Sequence, residues 1–286
     1  MKYKFIATHE GQFQVRRMCS TLGVKRSGYY AWRKRTPSLR ELENQQLVEQ
    51  IKKEHQKSRR TYGSPRIHAA LQRAGIACGR HRVARLMCQN GITGIRTPKR
   101  RPVTTQRRKG ALTAPNLLRQ DFSVSGPNLK WVSDITYIDT QEGWLYLASV
   151  LDLYSRMVVG WAMADHMETS LVDDALLMAL SRRNPAPGLI HHSDQGSQYT
   201  SFAFQQHLLE HHCLASMSGV GNCYDNATAE SFFGTLKTEC AAIQFTDRTQ
   251  AKSAIFEYIE VWYNRQRLHS SLGYESPLEF ELKSRH

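Results

Sequence analysis

The sequence predicts an α/β fold, a mixed sheet flanked by helices, preceded by small all-α helix-turn-helix modules. Three observations predict it. The first ninety-six residues contain helical patterns broken by glycine turns. Between residues 131 and 164, three segments rich in β-branched, aromatic and aliphatic residues follow one another across short turns, as antiparallel strands do. Beyond residue 170, helical patterns alternate with short apolar runs, which predicts helix-linked strands in the same sheet.

The net charge of this 286-residue chain is +14, and it is divided unevenly. Residues 1–110 contain 27 Lys and Arg against 5 Glu and no Asp, whereas residues 111–286 contain 12 against 20, so the two parts carry +22 and −8. A concentrated positive charge is typical of a nucleic-acid-binding surface, and an acidic remainder fits a domain that gathers cations before it approaches phosphate. The alternative is that the basic part is only a solvated face.

Length and composition exclude several classes of protein. The chain is long enough for one substantial core and one or two small modules. No run of 18 apolar residues and no signal-peptide pattern is present, so we expect a soluble, cytoplasmic protein without a membrane partner. Six cysteines lie scattered without C-x-x-C spacing, which argues against a zinc ribbon and against a dense disulfide framework.

Residues 1–60 are predicted to form a basic helical N-terminal region with a helix-turn-helix-like pair. Between Phe13 and Arg35, a short helix breaks at Gly23 and a second helix begins near Ser27, whose side chain is suited to capping it. A longer helix follows over residues 39–57, with apolar residues at helical spacing. Its pattern is too short and irregular for a leucine zipper.

Residues 61–96 predict a second helix-turn-helix-like module. Tyr62-Gly63-Ser64-Pro65 starts a helix, a turn runs from Gly75 to Gly79, and a second helix begins near Arg80. The N-terminal half of that second helix is crowded with basic side chains, where a recognition helix would meet bases or phosphates. The DNA-binding candidates there are Arg80, Arg82 and Arg85. An ordinary helical hairpin with a basic exterior is the alternative.

Residues 97–123 predict a basic, proline-containing linker. Its first part, 97–115, contains Pro98, Pro102 and Pro115, six Lys or Arg and no acidic residue. Such a segment cannot build a core. It could itself lie along a DNA backbone, with Arg100 and Arg101 as candidate contacts. We therefore place the start of the sheet domain at residue 124.

The sheet domain, residues 124–286, is predicted to contain five strands and to end in a C-terminal helix and tail. The predicted strands are 131–138, 144–152, 157–164, 188–192 and 214–218. Helices are predicted over 170–183, 202–212 and about 226–240. Three antiparallel strands followed by helix-linked strands indicate a mixed sheet.

Three acids occupy positions that such a fold could bring together. Asp134 lies within the first predicted strand, Asp194 just past the fourth, and Glu230 in the first turns of the helix after the fifth. Strand ends and neighbouring helix starts converge at one edge of such sheets. Three converging carboxylates repel one another unless cations bind between them, and Mg²⁺ prefers such hard oxygen ligands. The pattern predicts a two-Mg²⁺ phosphodiester site, in which Mn²⁺ could substitute.

A lysine follows the third acid along the same helix. Lys237 lies seven residues after Glu230, which is two turns on and on the same face. It is therefore a candidate contact to a DNA phosphate at the metals. Taken singly, each acid has a plain structural alternative, since an Asp at a strand end often caps a turn and a Glu on a helix often faces solvent.

The roles of several neighbouring residues stay open at this point. Asp152 could be a fourth acid near the metals or could form a structural ion pair with Arg156. Asn226 precedes a predicted helix and is chiefly a cap candidate. Tyr199 could touch DNA or simply face solvent.

Several motifs together resemble one known family. They are Trp131-Val132-Ser133-Asp134-Ile135-Thr136-Tyr137, Leu151-Asp152-Leu153-Tyr154-Ser155-Arg156 with Val159-Gly160-Trp161, His192-Ser193-Asp194-Gln195-Gly196, and Asn222-Cys223-Tyr224-Asp225-Asn226-Ala227 through Glu230 to Lys237. The tail adds Tyr263-Asn264-Arg265-Gln266-Arg267-Leu268-His269 and Leu272-Gly273-Tyr274. These motifs resemble the OrfB transposases of bacterial insertion sequences of the IS-three type. The resemblance covers nearly the whole chain from about Phe13 and includes Tyr62-Gly63-Ser64-Pro65-Arg66-Ile67.

The resemblance implies a fold and a site. The fold is a retroviral-integrase-like catalytic core of the ribonuclease-H-like class, and the metal triad is Asp134, Asp194 and Glu230. Members of the family join the element ends through a circular intermediate and insert it into target DNA. They commonly act as a fusion with an upstream OrfA product, made by ribosomal frameshifting, which supplies a further helix-turn-helix and an oligomerising zipper.

The leading hypothesis is therefore a DDE-type transposase, a polynucleotidyl transferase that cleaves strands at insertion-sequence ends and transfers them to target DNA with Mg²⁺. Its expected partners are double-stranded DNA, further copies of itself and an OrfA protein or fusion, and its expected place is the bacterial cytoplasm in association with the nucleoid. No phosphate-cradling G-x-x-x-x-G-K-[ST] segment is present, as expected for transesterification. Two alternatives stay open: a non-catalytic DNA-binding repressor and a ribonuclease-H-like nuclease.

Overall fold

A computed structural model of the protein describes residues 1–95, 114–219, 226–241 and 244–284. The chain divides into two compact units, Met1–Lys53 and Glu54–His286. Among the described residues, no helix is long and apolar enough to cross a membrane. The predicted DNA contacts Arg100 and Arg101 lie outside the described residues.

The first unit is helical and has a small core of its own. Its helices are α1 (Lys2–His9), α2 (Val15–Thr21), α3 (Arg26–Lys34) and the larger part of α4 (Leu39–Lys57). The core consists of Ile6, Met18, Cys19 and Tyr29. α3 begins one residue before the predicted start near Ser27, but the predicted capping role of Ser27 is wrong. Lys25 has the extended backbone of the cap residue, so Ser27 lies inside the first turn and makes no cap bond.

Two further helices form a hairpin at the start of the second unit. They are α5 (Ser64–Arg73) and α6 (Arg80–Gln89). Pro65 stands at the first turn of α5, where its fixed φ suits a helix and its missing N–H leaves no helical bond unmade. Gly75, with φ of 76°, turns the chain after α5 in a conformation that glycine adopts without steric penalty. The buried residues of the pair are Ile67, Ala69, Leu71, Val83, Leu86 and Met87.

A five-stranded mixed sheet forms the centre of the second unit. Its strands are β1 (Lys130–Thr140), β2 (Gly143–Asp152), β3 (Val158–Ala164), β4 (Ile190–Ser193) and β5 (Leu214–Met217), in the spatial order β3-β2-β1-β4-β5. β1, β2 and β3 pair antiparallel, whereas β4 pairs parallel with both β1 and β5. The predicted mixed sheet is confirmed, and β1 is its central strand.

Helices follow the sheet strands and continue into the tail. They are α7 (Thr169–Arg183), α8 (Phe202–Glu210), α9 (Ala227–Glu239), α10 (Arg248–Glu257) and α11 (Pro277–Ser284), with a π-helical segment at Tyr258–Tyr263 and a 3₁₀ turn at Ser270–Leu272. α7 packs against β2 and β3, and α9 packs against β1. The chain thus carries α9 to the strand that holds the first predicted acid.

Candidate active site

The sheet register brings the first two predicted acids side by side. In the parallel pair of β1 and β4, Trp131 lies opposite His191 and Val132 opposite His192, an offset of 60 residues. The same offset relates Asp134 to Asp194, the residue that follows the last one of β4. Because parallel neighbouring strands run level with each other, both carboxylates stand at the same edge region of the central strands.

Asp134 has the electrostatics of a crowded acid. Its pKa is raised to about 8, first by burial and then by the negative charges of Asp194 and, more weakly, Glu230. The N–H of Ile135 donates to its Oδ1 at 2.8 Å and opposes this rise, as does Lys237. Asp194 and Glu230 therefore both lie within electrostatic reach of Asp134, and the neutral form of Asp134 is favoured where no cation neutralises the group.

Asp194 is oriented by the turn that follows it. The backbone N–H of Gly196 donates to its Oδ1 at 2.9 Å. A Cβ atom at Gly196 would stand 2.9 Å from the same oxygen, which is closer than a real methyl group approaches. The glycine therefore lets the backbone come close enough to fix the direction of the carboxylate.

Glu230 lies in the first turn of α9 and is exposed. The start of this helix is tied to β1, because the amide Nδ2 of Asn226 donates to the carbonyl of Ser133 at 3.4 Å, one residue before Asp134. The expected role of Asn226 as a side-chain cap is wrong, since it occupies the N-cap position but makes no cap bond. It faces the strand instead, and this anchors the third acid beside the first.

Lys237 extends the site along α9. Its Nζ lies 4.4 Å from the centroid of the ring of Tyr137, which is three positions after Asp134 on β1. Burial lowers the pKa of Lys237, while the charge of Asp134 raises it. The ammonium group is thus held on the β1 side of α9, near the acids, and the predicted phosphate contact stays a prediction.

Tyr199 belongs to the surroundings of the acids, which the sequence did not show. It is only 2% exposed, so the expectation that it contacts DNA or solvent is wrong. Its ring packs against His191 and Phe204. Burial first, and then the charges of Asp134 and Asp194, raise the pKa of its phenol well above the usual value. Its buried hydroxyl has no hydrogen-bond partner among the described residues.

Asp152 is held by hydrogen bonds and does not form the ion pair considered for it. It is fully buried, and its carboxylate accepts backbone N–H bonds from Asn128, Tyr154 and Ser155 at 2.6, 2.8 and 3.1 Å, and the indole N–H of Trp131 at 3.2 Å. No ion pair with Arg156 occurs among the described residues. Asp152 therefore fixes the turn after β2, and the alternative of a fourth acid near the metals stays a prediction.

The predicted DNA contacts on α6 are wholly or partly exposed to solvent. Arg80 and Arg85 are exposed and Arg82 is half-buried, while the same helix buries Val83, Leu86 and Met87. A basic outer face and an apolar inner face are the arrangement that a DNA-contacting helix needs. Whether these side chains bind DNA stays a prediction.

The donor chemistry of the three acids fits a hard divalent cation. Carboxylate oxygens are the ligands that Mg²⁺ prefers, and the raised pKa of Asp134 shows a repulsion that a bound cation would relieve. Within residues 1–95, 114–219, 226–241 and 244–284, no three His, Cys, Asp or Glu side chains enclose a metal position. An open set is compatible with Mg²⁺, because this ion is usually bound by one or two carboxylates together with substrate phosphates.

Comparison with known families agrees with this geometry. Residues 124–223 match a family model described as an integrase core domain, and residues 230–284 match a second one of the same description. Residues 41–101 match a model described as an HTH-like domain. The two acids of the sheet lie in the first match, Glu230 opens the second, and α5 and α6 lie in the third.

Solved structures similar to the chain include two from retroviruses. One is the intasome of simian T-cell lymphotropic virus in complex with PP2A regulatory subunit B56 gamma, with a TM-score of 0.48 and 16% identity, over 74% of this chain and 69% of that one. Another is the HTLV-2 integrase catalytic core domain in complex with magnesium, with a TM-score of 0.43 and 16% identity, over 56% of this chain and 99% of that one.

Curated relatives are similar over almost the full chain. A 31 kDa protein of insertion element IS600 from Shigella sonnei is 46% identical over 267 residues, which are 93% of this chain and 98% of the relative. Transposase InsF for insertion sequence IS3A from Escherichia coli (strain K12) is 43% identical over 287 residues, 99% of each chain. Since identity of this degree extends from end to end, the protein belongs to the IS3-type family of insertion-sequence transposases, DDE enzymes of the polynucleotidyl transferase class with an integrase core and an HTH-like domain.

Proposed function

We propose that the protein cleaves one DNA strand at each end of its insertion sequence and joins the freed 3′-hydroxyls to target DNA, with Mg²⁺ held by Asp134, Asp194 and Glu230. The observation that carries the proposal is the coupling of the three acids: burial and the charges of Asp194 and Glu230 together raise the pKa of Asp134 to about 8. A protein gains nothing for its stability from such repulsion, and perturbed groups of this kind cluster at functional sites.

Each acid has a distinct share in holding the site. Asp134 stands on the central strand of the sheet, which is paired on both sides. Asp194 is directed by the Gly196 N–H, and Glu230 comes from a helix that Asn226 ties to the same strand. When bound, a pair of Mg²⁺ ions would activate the attacking oxygen and stabilise the leaving oxygen of an in-line displacement.

In the proposed reaction, bonds and protons balance without a nucleotide cofactor such as a nucleoside triphosphate. In the first step a water oxygen attacks the phosphorus at the element end, and the 3′-oxygen leaves and takes a proton. In the second step that 3′-hydroxyl loses its proton and attacks a target phosphodiester, whose own 3′-oxygen leaves. One phosphodiester bond is formed for each one broken in the transfer step. Lys237, held near Asp134, is placed to contact a phosphate of the reacting strand.

DNA binding is shared between the site and the basic first part of the chain. We assign residues 1–60 and 61–96 to two helix-turn-helix-like modules, 97–123 to a basic linker and 124–286 to the catalytic core. Arg80, Arg82 and Arg85 on α6 and Arg100 and Arg101 of the linker are the proposed DNA contacts. Two DNA ends must be handled together, which requires at least two copies, and an OrfA protein or fusion is the expected partner. Chromosomal DNA as substrate places the enzyme at the bacterial nucleoid.

The test is a strand-joining assay with the purified chain and labelled duplex from the ends of its own element, in Mg²⁺, Mn²⁺ or EDTA. We expect joined products with either metal and none with EDTA. The double variant Asp194→Asn with Glu230→Gln should lose at least two orders of magnitude in rate, because removing parts of an electrostatic site costs about 10²-fold or more. Asp174→Asn, at an exposed position of α7, is the control and should retain the wild-type rate.

Two further arms separate the competing readings. Addition of the OrfA fusion to a chain that binds but does not join shows whether the partner is required. An RNA–DNA hybrid of the same sequence tests for ribonuclease-H-like cleavage. Binding without joining, with and without OrfA, would refute the transposase reaction in favour of a DNA-binding repressor.

A further inference from the structure

Two motifs from opposite parts of the chain meet in the second unit. The backbone N–H of Leu268 donates to the hydroxyl of Tyr62 at 2.6 Å, and the Nε of Arg66 donates to the Leu268 carbonyl at 3.0 Å. Tyr62 before α5 and Arg66 in its first turn are thereby fixed to the tail that follows the π-helical segment. Neither motif is used by the reaction described above, so their junction calls for a separate explanation.

Four basic groups gather at this junction, which we name the tail basic cluster: Arg66, Arg156, Arg267 and His269. His269 is only 8% exposed, and its ring stands edge-on to that of Tyr263 at 4.9 Å. Burial, and then the charges of the three arginines in the order Arg267, Arg66 and Arg156, lower the pKa of His269 to about 2. Its Nε2 is buried without a hydrogen-bond partner among the described residues.

Among the described residues, Glu239 is the acid that forms an ion pair with this cluster, and it is already engaged. Glu239 accepts from Arg267 through Nε at 2.9 and 3.1 Å and through Nη2 at 2.8 Å. It also accepts from the hydroxyl of Tyr258 at 3.1 Å and the indole N–H of Trp262 at 3.4 Å. Arg267 is therefore neutralised by a bidentate pair, and Glu239 has little capacity left for a second cation.

The other two arginines are half-buried and form no ion pair in the described part of the chain, although the charge of Asp152 acts on Arg156 and that of Glu239 on Arg66 at longer range. Arg66 donates to a carbonyl, and Arg156 donates through Nη1 to the hydroxyl of Thr228 at 2.6 Å. Burial lowers the pKa of both guanidinium groups. A charge withdrawn from water without a counter-charge is unfavourable. The three arginines face two acids, Glu239 and Asp152, so one positive charge in excess, beside an unpartnered imidazole nitrogen, marks a place for an anion.

The location of the cluster indicates which anion it takes. Thr228, which holds Arg156, lies in the first turn of α9, two residues before Glu230. A DNA strand held at the acids passes this helix start, and guanidinium groups are the side chains best suited to phosphate. We propose that Arg66, Arg156 and His269 form an anion site for one backbone phosphate of the DNA strand that lies against the start of α9; the identity of the ligand rests on the proposed function.

The test is a binding measurement without catalysis. Fluorescence anisotropy with the element-end duplex in EDTA is repeated over a salt series for the wild type, Arg156→Gln and Arg156→Lys. Loss of one phosphate contact should reduce the slope of log K against log salt by about 0.9 in Arg156→Gln, while Arg156→Lys, which keeps the charge, should retain most of the slope. Arg265→Gln, an exposed arginine of the same tail, should keep the wild-type slope.

A phosphate scan then identifies the contact. Single methylphosphonates, which are neutral, replace the phosphates of the duplex one by one. We expect one position that weakens binding to the wild type and to Arg265→Gln but has no effect on Arg156→Gln, and the same position silent in Arg66→Gln. Arg66→Gln also serves as the test if the thermal unfolding midpoint of Arg156→Gln shows that it is not folded.

Two outcomes would contradict the proposed anion site. If every neutralised phosphate weakens the wild type and both cluster variants alike, or if Arg265→Gln loses as much slope as Arg156→Gln, the cluster binds no particular phosphate and its charges are only structural. Because no metal is present in these measurements, a wild type that shows the coupled phosphate but joins no DNA would refute the proposed reaction and leave the anion site standing.

Discussion

Asp134 illustrates at the level of one side chain how the fold changes chemistry. In water an aspartate is ionised at neutral pH, whereas here burial and two neighbouring acids raise its pKa to about 8. The same carboxylate on an exposed strand would be an ordinary solvated group. Its perturbation follows from the side-by-side placement of β1 and β4, and a bound cation would reverse it by favouring the charged form.

The hydroxyl of Tyr199 allows a test of the metal-free site. Tyr199→Phe removes a buried hydroxyl that has no partner in the described structure, so the free energy of unfolding in EDTA should stay the same or rise, by up to about 1–3 kcal/mol. Urea unfolding followed by tryptophan fluorescence measures it. Tyr62→Phe is the matched control, because its hydroxyl accepts the Leu268 N–H, and it should destabilise. Equal losses in both variants would mean that Tyr199 has a partner in solution.

His191 predicts a pH dependence of stability. It is buried, its Nε2 lies 2.7 Å from the Ser133 hydroxyl, and burial, followed by the charge of His192, lowers its pKa to about 3. An unfolded histidine titrates near 6.5, so between about pH 6.5 and 3 the unfolded state binds one proton more and stability falls with acidification. His191→Asn should therefore remove up to about 1.4 kcal/mol per pH unit from the dependence in that window and nothing above it.

The measurement for this prediction is a series of urea titrations from pH 7 down to pH 4.5. His211→Asn, at an exposed position after α8, controls for the loss of one imidazole and should run parallel to the wild type. A slope for His191→Asn that equals the wild-type slope throughout would contradict the prediction.

At the scale of elements, one close contact fixes the helix that covers the sheet. α7 packs on β2 and β3, and a Cβ atom at Gly160 of β3 would fall on the carbonyl oxygen of Ala175 and on Ala179. The helix backbone thus lies directly on the strand, which only a glycine permits. Gly160 lies in the motif Val159-Gly160-Trp161, and the close approach of α7 explains why a glycine is needed at that position.

Gly160→Ala should therefore destabilise the second unit by about 1–3 kcal/mol or more, because neither the helix backbone nor the strand can yield cheaply. The loss is measured as the shift of the urea midpoint at constant m-value. Gly126→Ala is the control: the nearest atom to its added Cβ is Leu129 Cδ1 at 4.0 Å, so its effect should be small. A variant at Gly160 as stable as the one at Gly126 would show that α7 can move away from the sheet.

At the scale of the whole molecule, the end of the chain is bound into the middle of the second unit. Glu281 of α11 is 2% exposed and accepts from Ser155 Oγ and Arg183 Nη2, each at 2.6 Å. Ser155 lies after β2 and Arg183 ends α7. The Glu281 carboxylate is thus bonded to residues that precede it by 126 and 98 positions. The tail is therefore part of the fold of this unit.

Glu281→Gln should cost about 3–5 kcal/mol in the free energy of unfolding, because it leaves Arg183 as a buried charge without its partner. Glu275→Gln is the control, since Glu275 pairs with the exposed Lys283 and such surface pairs contribute about 0–1 kcal/mol. Guanidinium chloride unfolding distinguishes the two. Equal small losses would contradict a buried, obligatory pair.

The order of elements and the type of fold were predictable from the sequence because they depend on local patterns. β-branched runs and helical periodicity placed β1, β2 and β3, and likewise α7, α8 and α9, within two residues of their ends. The cap at Ser27 was misassigned, since one residue of backbone geometry decides where a helix starts. The positions of Asp134, Asp194 and Glu230 relative to strands and helix were also predictable, since they follow from the same elements.

The residues that surround the three acids could be identified only from the tertiary structure. Tyr199 was expected at the surface and is buried beside two acids, and Asn226 was expected to cap a helix and instead reaches β1. Both outcomes depend on packing between residues far apart in the chain, which a local pattern does not encode.

The division of charge, the succession of helices and strands, and the placing of three acids at strand and helix ends can all be read from the sequence, because each is a property of neighbouring residues. Only the folded chain shows that the β1–β4 register sets Asp134 beside Asp194, and that Arg66 of the Tyr62 motif, Arg156 after β2 and Arg267 of the tail act together on His269. The reason is physical: register and packing are fixed by burial and hydrogen bonding across 60 to 200 residues of chain, and no spacing within one segment contains that information.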